Sequence, residues 1–301
     1  MTSASVIETH GLCRRFLRHE AVAGVSLTVP AGSALALIGA NGAGKTTLMR
    51  LLVNILRADH GQARVLGKDS RELRAPDFRR IGYLAENQKL PERLSLAHYF
   101  DYLRPLYPDW DLSLEASLRE RFELPAERRL SKLSHGMRMK AMLTGALAFR
   151  PTLLILDEPL SGLDPLTRDE VVEGMLAQAE ETTLVISSHE MTEIDGLATH
   201  VAYMDRGSLL FQSTTENLLA RFRDVSATFQ RAPEALAGLP PGWMSPKLFE
   251  RTLRFADSAF SDEAALRAAL SARFGPIEQI AVRPMSLRDV SKALMAAGRR
   301  S

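Results

Sequence analysis

No stretch of this chain restricts its fold as much as residues 39–47, GANGAGKTT, which satisfy the pattern G-x-x-x-x-G-K-[ST]. Glycines at 39, 42 and 44 permit backbone conformations that a Cβ would block, so successive N–H groups can converge on phosphate oxygens. The flanks supply the setting such a loop needs. Before it, SALALIG (33–39) is a continuous apolar run that reads as a buried strand. After it, TTLMRLLVNIL (46–56) repeats apolar residues at helical spacing. Strand, loop and helix in that order place a triphosphate at a helix N-terminus, where free N–H groups and the helix dipole favour an anion. Gly39, Ala40, Asn41, Gly42, Ala43, Gly44, Lys45, Thr46 and Thr47 are thus the expected nucleotide cradle. Lys45 is directed at the β and γ phosphates and the Thr46 hydroxyl at Mg²⁺.

Two more apolar runs, TLLILD (152–157) and TLVISS (183–188), each followed by polar residues, read as central strands of a parallel sheet. LLILDEP ends on adjacent carboxylates. Asp157 is placed to hold Mg²⁺, directly or through water, and Glu158 to polarise the water that attacks the γ phosphate. SSHE follows the next strand, so His189 is expected on the same sheet edge as Glu158, 31 residues later in the chain. In that crevice it can donate a hydrogen bond to the γ phosphate or hold the attacking water.

The bulk composition limits what surrounds this core. At 301 residues there is room for one domain of ordinary size and a smaller partner, and 46% hydrophobic with 25% charged residues excludes disordered and collagenous classes. Lys and Arg number 38 against 36 Asp and Glu, a balance unlike that of a nucleic-acid-coating protein, and no nucleic-acid partner is expected. One cysteine, Cys13, excludes an intrachain disulfide and a zinc cluster and fits a reducing compartment. MTSASVIETH lacks the basic and apolar regions of a signal peptide. The longest apolar runs, ALALIGA (34–40) and LLIL (153–156), fall short of the ~20 residues that span a bilayer. A cytoplasmic chain is expected, with any membrane role requiring a partner.

Between about 90 and 150 the pattern turns helical: LSLAHYFDYLRPLY, LSLEASLRERF, then SHGMRMKAMLTGALAF ended by Pro151. Tyr99, Phe100, Tyr102, Tyr107 and Trp110 gather there, as the core of a small helical lobe, a docking face, or both. HVAYMD and SLLFQ read as strands joined at Arg206 and Gly207, and STTE (213–216) as a capping box. After about Phe222 the texture changes. APEALAGLPPGW (232–243) is a loop or linker, TLRFA and IEQIAVR are strands, and DEAALRAALSARF and SLRDVSKALMAAG are helices. The expected organisation is residues 1–222 as one α/β nucleotide-binding domain, with its helical lobe at about 88–150, and 223–301 as a small α/β appendage.

KLSHGMRMK (132–140) marks a second helix entrance suited to an anion, almost 90 residues after the first. Taken together, GANGAGKTT, LSHGM, LLILDEP, SGLD and SSHE, in this order, resemble the nucleotide-binding domain of ABC ATPases over about residues 5–222. LSHGM and SGLD are not shared by kinases or GTPases with the same phosphate loop. Beyond 222 only PMSLRDVSKALM is similar, to the tail helix of bacterial exporter ATPases. The resemblance implies a P-loop core of ABC type, with a mainly parallel sheet, an antiparallel β portion and an inserted helical lobe, using ATP and Mg²⁺.

It also accounts for the second anion site. Two such domains close head to tail, so Ser134 and Gly136 would touch the γ phosphate held by the other copy, and Asp164 of SGLD would reach across towards the other phosphate loop. Phe16, in LCRRFLRHEAV, lies where the family stacks an aromatic ring on adenine, the alternative being a strand residue facing the core. Two departures stand out. The usual signature is LSGGQ, and here His135 and Met137 replace its first glycine and its glutamine. The usual GYLPQ reads GYLAENQ, so Glu86 by register, or Gln88 two residues later, is expected near Mg²⁺ and water.

The role implied is the ATP-binding subunit of an ABC transporter, of bacterial exporter type. It would work as a homodimer under separately encoded integral membrane permease subunits at the cytoplasmic face of the plasma (inner) membrane. Those subunits would dock near residues 86–110. The alternative is a soluble ABC ATPase acting on ribosomes or DNA. Such proteins usually carry two domains in one chain, long coiled coils or zinc-binding cysteines, none of which is seen here. A small-molecule kinase would have no need of LSHGM.

Overall fold

The computed structural model of the protein describes residues 4–298 apart from 180, 190–193, 195, 234, 235 and 237. Glu190 of SSHE, three residues of APEALAGLPPGW and the first three residues of the chain therefore lie outside the described residues. The chain divides into two compact units, Met1–His189 with Gly196–Gln212, and Glu190–Asp195 with Ser213–Ser301. The division falls at 212/213, ten residues before the expected 222/223.

The first unit opens with antiparallel strands β1 (Ser5–Phe16), β2 (His19–Val25) and β3 (Thr28–Pro30), followed by β4 (Ala34–Ile38), helix α1 (Lys45–Leu52), β5 (His60–Val65) and β6 (Lys68–Asp69). β2, β1, β5 and β6 lie side by side in that order, with β3 also paired to β1. Their inward residues Ile7, Val22, Val25, Val29 and Val65 are all buried without exposure. α1 is shorter than the apolar pattern predicts, since 46–56 reads as one helix. Asn54 adopts φ 56°, and the N–H groups of Ile55 and Leu56 both turn back onto the Arg50 carbonyl, which ends the helix as left-handed caps do.

The chain continues through α2 (Ala75–Phe78), β7 (Ile81–Leu84), α3 (Leu96–Leu103), α4 (Leu112–Arg121), α5 (His135–Leu147), β8 (Leu153–Leu156), α6 (Pro165–Leu176), β9 (Thr183–Ser188), β10 (His200–Asp205) and β11 (Ser208–Thr214). The second sheet has the order β11-β10-β4-β9-β8-β7, with β10, β4, β9, β8 and β7 parallel. β4 and β8 are buried at every position, which is why they read as unbroken apolar runs rather than alternating ones. β10 and β11 meet in a two-residue turn in which Arg206 (φ 43°) and Gly207 (φ 83°) both take positive φ, as a type I′ hairpin demands.

Residues between β7 and the adjacent β8 leave the sheet and form the helical lobe of α3, α4 and α5. Each of its helices starts on a capping side chain, Ser95, Asp111 and Ser134, that accepts from the N–H three residues on. Tyr99 and Phe100 are buried, Phe100 meets Trp110 at 6.5 Å, and Tyr107 stacks on Phe149 at 4.0 Å. The aromatic cluster is thus a lobe core, with only Tyr102 turned outward at 63% exposure.

The second unit contains α7 (Thr215–Arg221), β12 (Arg223–Phe229), β13 (Trp243–Phe249), β14 (Thr252–Asp257), α8 (Glu263–Phe274), β15 (Ile277–Pro284) and α9 (Leu287–Gly298). Thr214, not Ser213, caps α7: its hydroxyl accepts from Asn217 N at 3.2 Å, so the strand β11 runs directly into the cap. The four strands form an antiparallel sheet in the order β13-β14-β12-β15. Val225, Ala227 and Phe229 alternate inward against Leu266 and Leu270 of α8. β13 contains Pro246, lies at the sheet edge and carries an irregularity between Met244 and Lys247, which is where a strand tolerates a missing donor.

Candidate functional site

The loop between β4 and α1 is shaped by glycine. A Cβ on Gly39 would lie 2.3 Å from the Met204 carbonyl oxygen, and one on Gly44, at φ 101°, 2.1 Å from that of Ala21. Gly44 is the N-cap of α1 and no side chain caps that helix, so no capping side chain takes up its first N–H groups, the arrangement that suits an anion. Lys45 is 6% exposed, donates to the Gly39 carbonyl at 2.7 Å, and lies 3.1 Å from Glu158 Oε1.

Asp157 and Glu158 follow β8 directly, and both are buried. Thr46 donates its hydroxyl hydrogen to Asp157 Oδ1 at 3.0 Å, and the Ser187 hydroxyl donates to the same oxygen at 2.8 Å. Asp157 Oδ2 is buried with no hydrogen-bond partner. A carboxylate oxygen left unpaired beside a threonine hydroxyl is the donor set a hard divalent cation takes, so the residues present fit Mg²⁺. Glu158 takes φ 50°, in the left-handed region, and its N–H is held by the Ser187 hydroxyl oxygen at 2.8 Å. Its other oxygen, Oε2, lies 2.9 Å from His189 Nδ1. The buried Glu158 carboxylate is therefore gripped by Lys45 on one side and His189 on the other.

One cleft is lined by Phe16, His19, Ala21, Asn41 to Thr47, Glu86 and Glu158. The ring of Phe16 is 40% exposed and carries the Arg14 guanidinium 4.9 Å from its centroid, so it does not face the core. Of the two candidates in GYLAENQ, Glu86 lines the cleft, whereas the Gln88 side-chain oxygen accepts from Ala85 N at 3.4 Å. Ser187 and His19 were not singled out from the sequence. Ser187 had a signal, as a hydroxyl at the end of a buried strand next to the carboxylate strand.

Ser134, Gly136 and Asp164 gather at a second place. Ser134 caps α5 by accepting from Met137 N at 3.2 Å, and Asp164 caps α6 by accepting from Thr167 N at 3.0 Å. The Thr167 backbone hydrogen bond holds the Asp164 carboxyl below its ordinary pKa. A Cβ on Gly136 would lie 2.7 Å from Thr167 Cγ2, so the first turns of α5 and α6 press together there.

A glycine loop between a central parallel strand and a helix, a buried lysine, an unpaired aspartate oxygen and a glutamate gripped by histidine define a P-loop nucleoside triphosphatase with an inserted helical lobe. The ABC transporter family profile matches residues 22–161. The ABC transporter ATP-binding protein YtrB of Bacillus subtilis (strain 168) is 28% identical over 74% of this chain and 77% of its own length. The daunorubicin resistance ATP-binding protein DrrA2 of Streptomyces coeruleorubidus is 34% identical over 70% of this chain and 68% of its own. The solved ATP-binding subunit of an ABC transporter superposes with a TM-score of 0.65 at 23% identity, covering 71% of this chain and 92% of that one. The chain belongs to the ABC transporter ATP-binding family, and its reaction is ATP hydrolysis.

Proposed function

We propose that the chain powers export as a homodimer beneath separately encoded permease subunits at the cytoplasmic face of the bacterial plasma membrane, using Mg²⁺ and ATP. The observation that carries this reading is that one chain holds two separate anion-suited helix starts. The first, at α1, has lysine and carboxylates beside it; the second, at α5, has the Ser134 cap and Asp164 nearby. The second completes a site only when it meets the phosphate loop of another copy. No helix among the described residues is long and apolar enough to cross a membrane, which fits a division of labour with permease subunits. The drug-resistance designation of DrrA2 supports the export direction.

In this reading Thr46 and Asp157 would hold Mg²⁺, which would supply neutralisation of phosphate charge when bound. Phe16 stacks on adenine, residues 39–47 cradle the phosphates, and Glu86 faces the water beside them. Glu158 accepts a proton from the attacking water. His189, bonded to that carboxylate, orients it and donates towards the γ phosphate. ATP joins two copies because Ser134, Gly136 and Asp164 meet phosphate only in the closed state, and hydrolysis removes those contacts.

With ATP and Mg²⁺, Glu158→Gln is expected to hydrolyse at least ~100-fold more slowly and to elute from a sizing column at twice its monomer mass. Adding Ser134→Arg to it keeps ATP binding and leaves a monomer. Turnover of Glu158→Gln at the original rate would remove the base role, and a normal dimer of the double variant would remove the contact between copies.

A further inference from the structure

His135 occupies the position where the family signature has glycine, so its side chain is an addition to the α5 turn. Its Nε2 lies 3.1 Å from the carbonyl oxygen of Ser161, in the loop that runs from Glu158 to the Asp164 cap of α6. Gly162 of this loop takes φ 71°, a left-handed conformation that glycine adopts without strain, and its α-carbon lies beside the imidazole, a Cβ there falling 3.7 Å from that same Nε2 in ordinary contact. Within the loop there are two turn bonds, Ser161 N to Glu158 O at 3.2 Å and Leu163 N to Leu160 O at 3.4 Å, and Leu160 and Leu163 are buried, which leaves the Ser161–Gly162 tip for His135 to hold. The next residue, Gly136, packs on Thr167.

We infer that His135 is a positioning residue for ATP hydrolysis: its Nε2–H donates to the Ser161 carbonyl and ties the Glu158–Asp164 loop to the first turn of α5. Ser134 and Asp164 then approach the nucleotide of a second copy as one piece rather than as two segments ordered separately. The inference rests on the head-to-tail dimer proposed above. Ordering both segments before closure removes entropy that the closed state would otherwise lose, so the contribution falls on the closed, hydrolysing state. The loop is rooted at Glu158, so its displacement also reaches the general base. His135 is not among the residues lining the ATP cleft, so ATP capture by a single copy is not altered.

The test compares the intact protein with His135→Phe, which keeps a planar ring without the donor, and His135→Gln, which keeps an N–H donor. One exposed hydrogen bond corresponds to a factor of about 5. His135→Phe is expected to lower kcat about 5-fold with KM within ~2-fold, and without nucleotide to speed hydrogen exchange at the Ser161 and Leu163 amides by a similar factor. His135→Gln is expected to restore both readouts to within ~2-fold of the original. Full kcat with unchanged exchange in His135→Phe, a parallel change in KM, or a His135→Gln as impaired as His135→Phe would each overturn the positioning role. The Glu158→Gln protein separates the two readings. If it stays monomeric with ATP the dimer is overturned, whereas a dimeric Glu158→Gln protein together with unchanged kcat for His135→Phe in the otherwise intact chain overturns only the role of His135.

Discussion

The Ser187 hydroxyl holds two functional residues at once, donating to Asp157 Oδ1 and accepting from Glu158 N, both at 2.8 Å. It thereby sets where the free Asp157 oxygen points and helps keep Glu158 in a left-handed conformation that residues other than glycine, asparagine and aspartate adopt only at a cost. Ser187→Ala leaves a buried N–H without an acceptor, a cost of about 1–3 kcal/mol. Denaturant unfolding should show a loss in that range, and the variant should need more Mg²⁺ for half-maximal hydrolysis. Unchanged Mg²⁺ dependence would mean that Thr46 alone orients the aspartate.

At the level of elements, the helical lobe depends on a buried carboxylate. Glu115 of α4 is 2% exposed and accepts from Arg104 Nε and Nη2 at 2.8 Å each, from Trp110 Nε1 at 2.9 Å and from Arg119 Nη1 at 3.2 Å. Burial alone would raise its pKa, but the hydrogen bonds from Arg104 and Trp110, with the Arg104 charge, outweigh it and hold it below the ordinary value. A lowered carboxylate stabilises the folded form above its unfolded pKa, and that stability is lost as pH falls through the folded pKa. Acid titration followed by Trp110 fluorescence should therefore show the lobe loosening below the ordinary glutamate range. Glu115→Gln should remove most of that pH dependence and cost about 2–3 kcal/mol at neutral pH. An acid transition unchanged in Glu115→Gln would place its origin elsewhere.

For the whole molecule, the proposed role predicts a partner. Protein purified from its native membranes in mild detergent should bring a polytopic membrane protein in fixed ratio, and ribosomes or nucleic acid in its place would refute the exporter reading. In the lobe Tyr102, Leu106 and Leu112 are 63%, 51% and 61% exposed, whereas Tyr99 and Phe100 are buried. An exposed apolar group over a closed core is a surface whose burial would be favourable on docking.

Much of this was legible in the chain because the chemistry is local. Residues 39–47, Asp157 with Glu158, and the capping positions Ser134 and Asp164 are contiguous motifs whose backbone needs are met by the residues themselves, and the buried strands announce themselves as unbroken apolar runs. β12 is less legible because only Val225, Ala227 and Phe229, at alternate positions, are buried, and Pro246 interrupts the strand pattern of β13, which tolerates it at a sheet edge. What only tertiary structure decided were pairings across long stretches of chain. Among them are the choice of Glu86 over Gln88 at the cleft, the exposure of Phe16, the sharing of Ser187 between Asp157 and Glu158, and the reach of His135 to Ser161. Each depends on where separate elements come to rest, and a sequence pattern records the preferences of one element at a time.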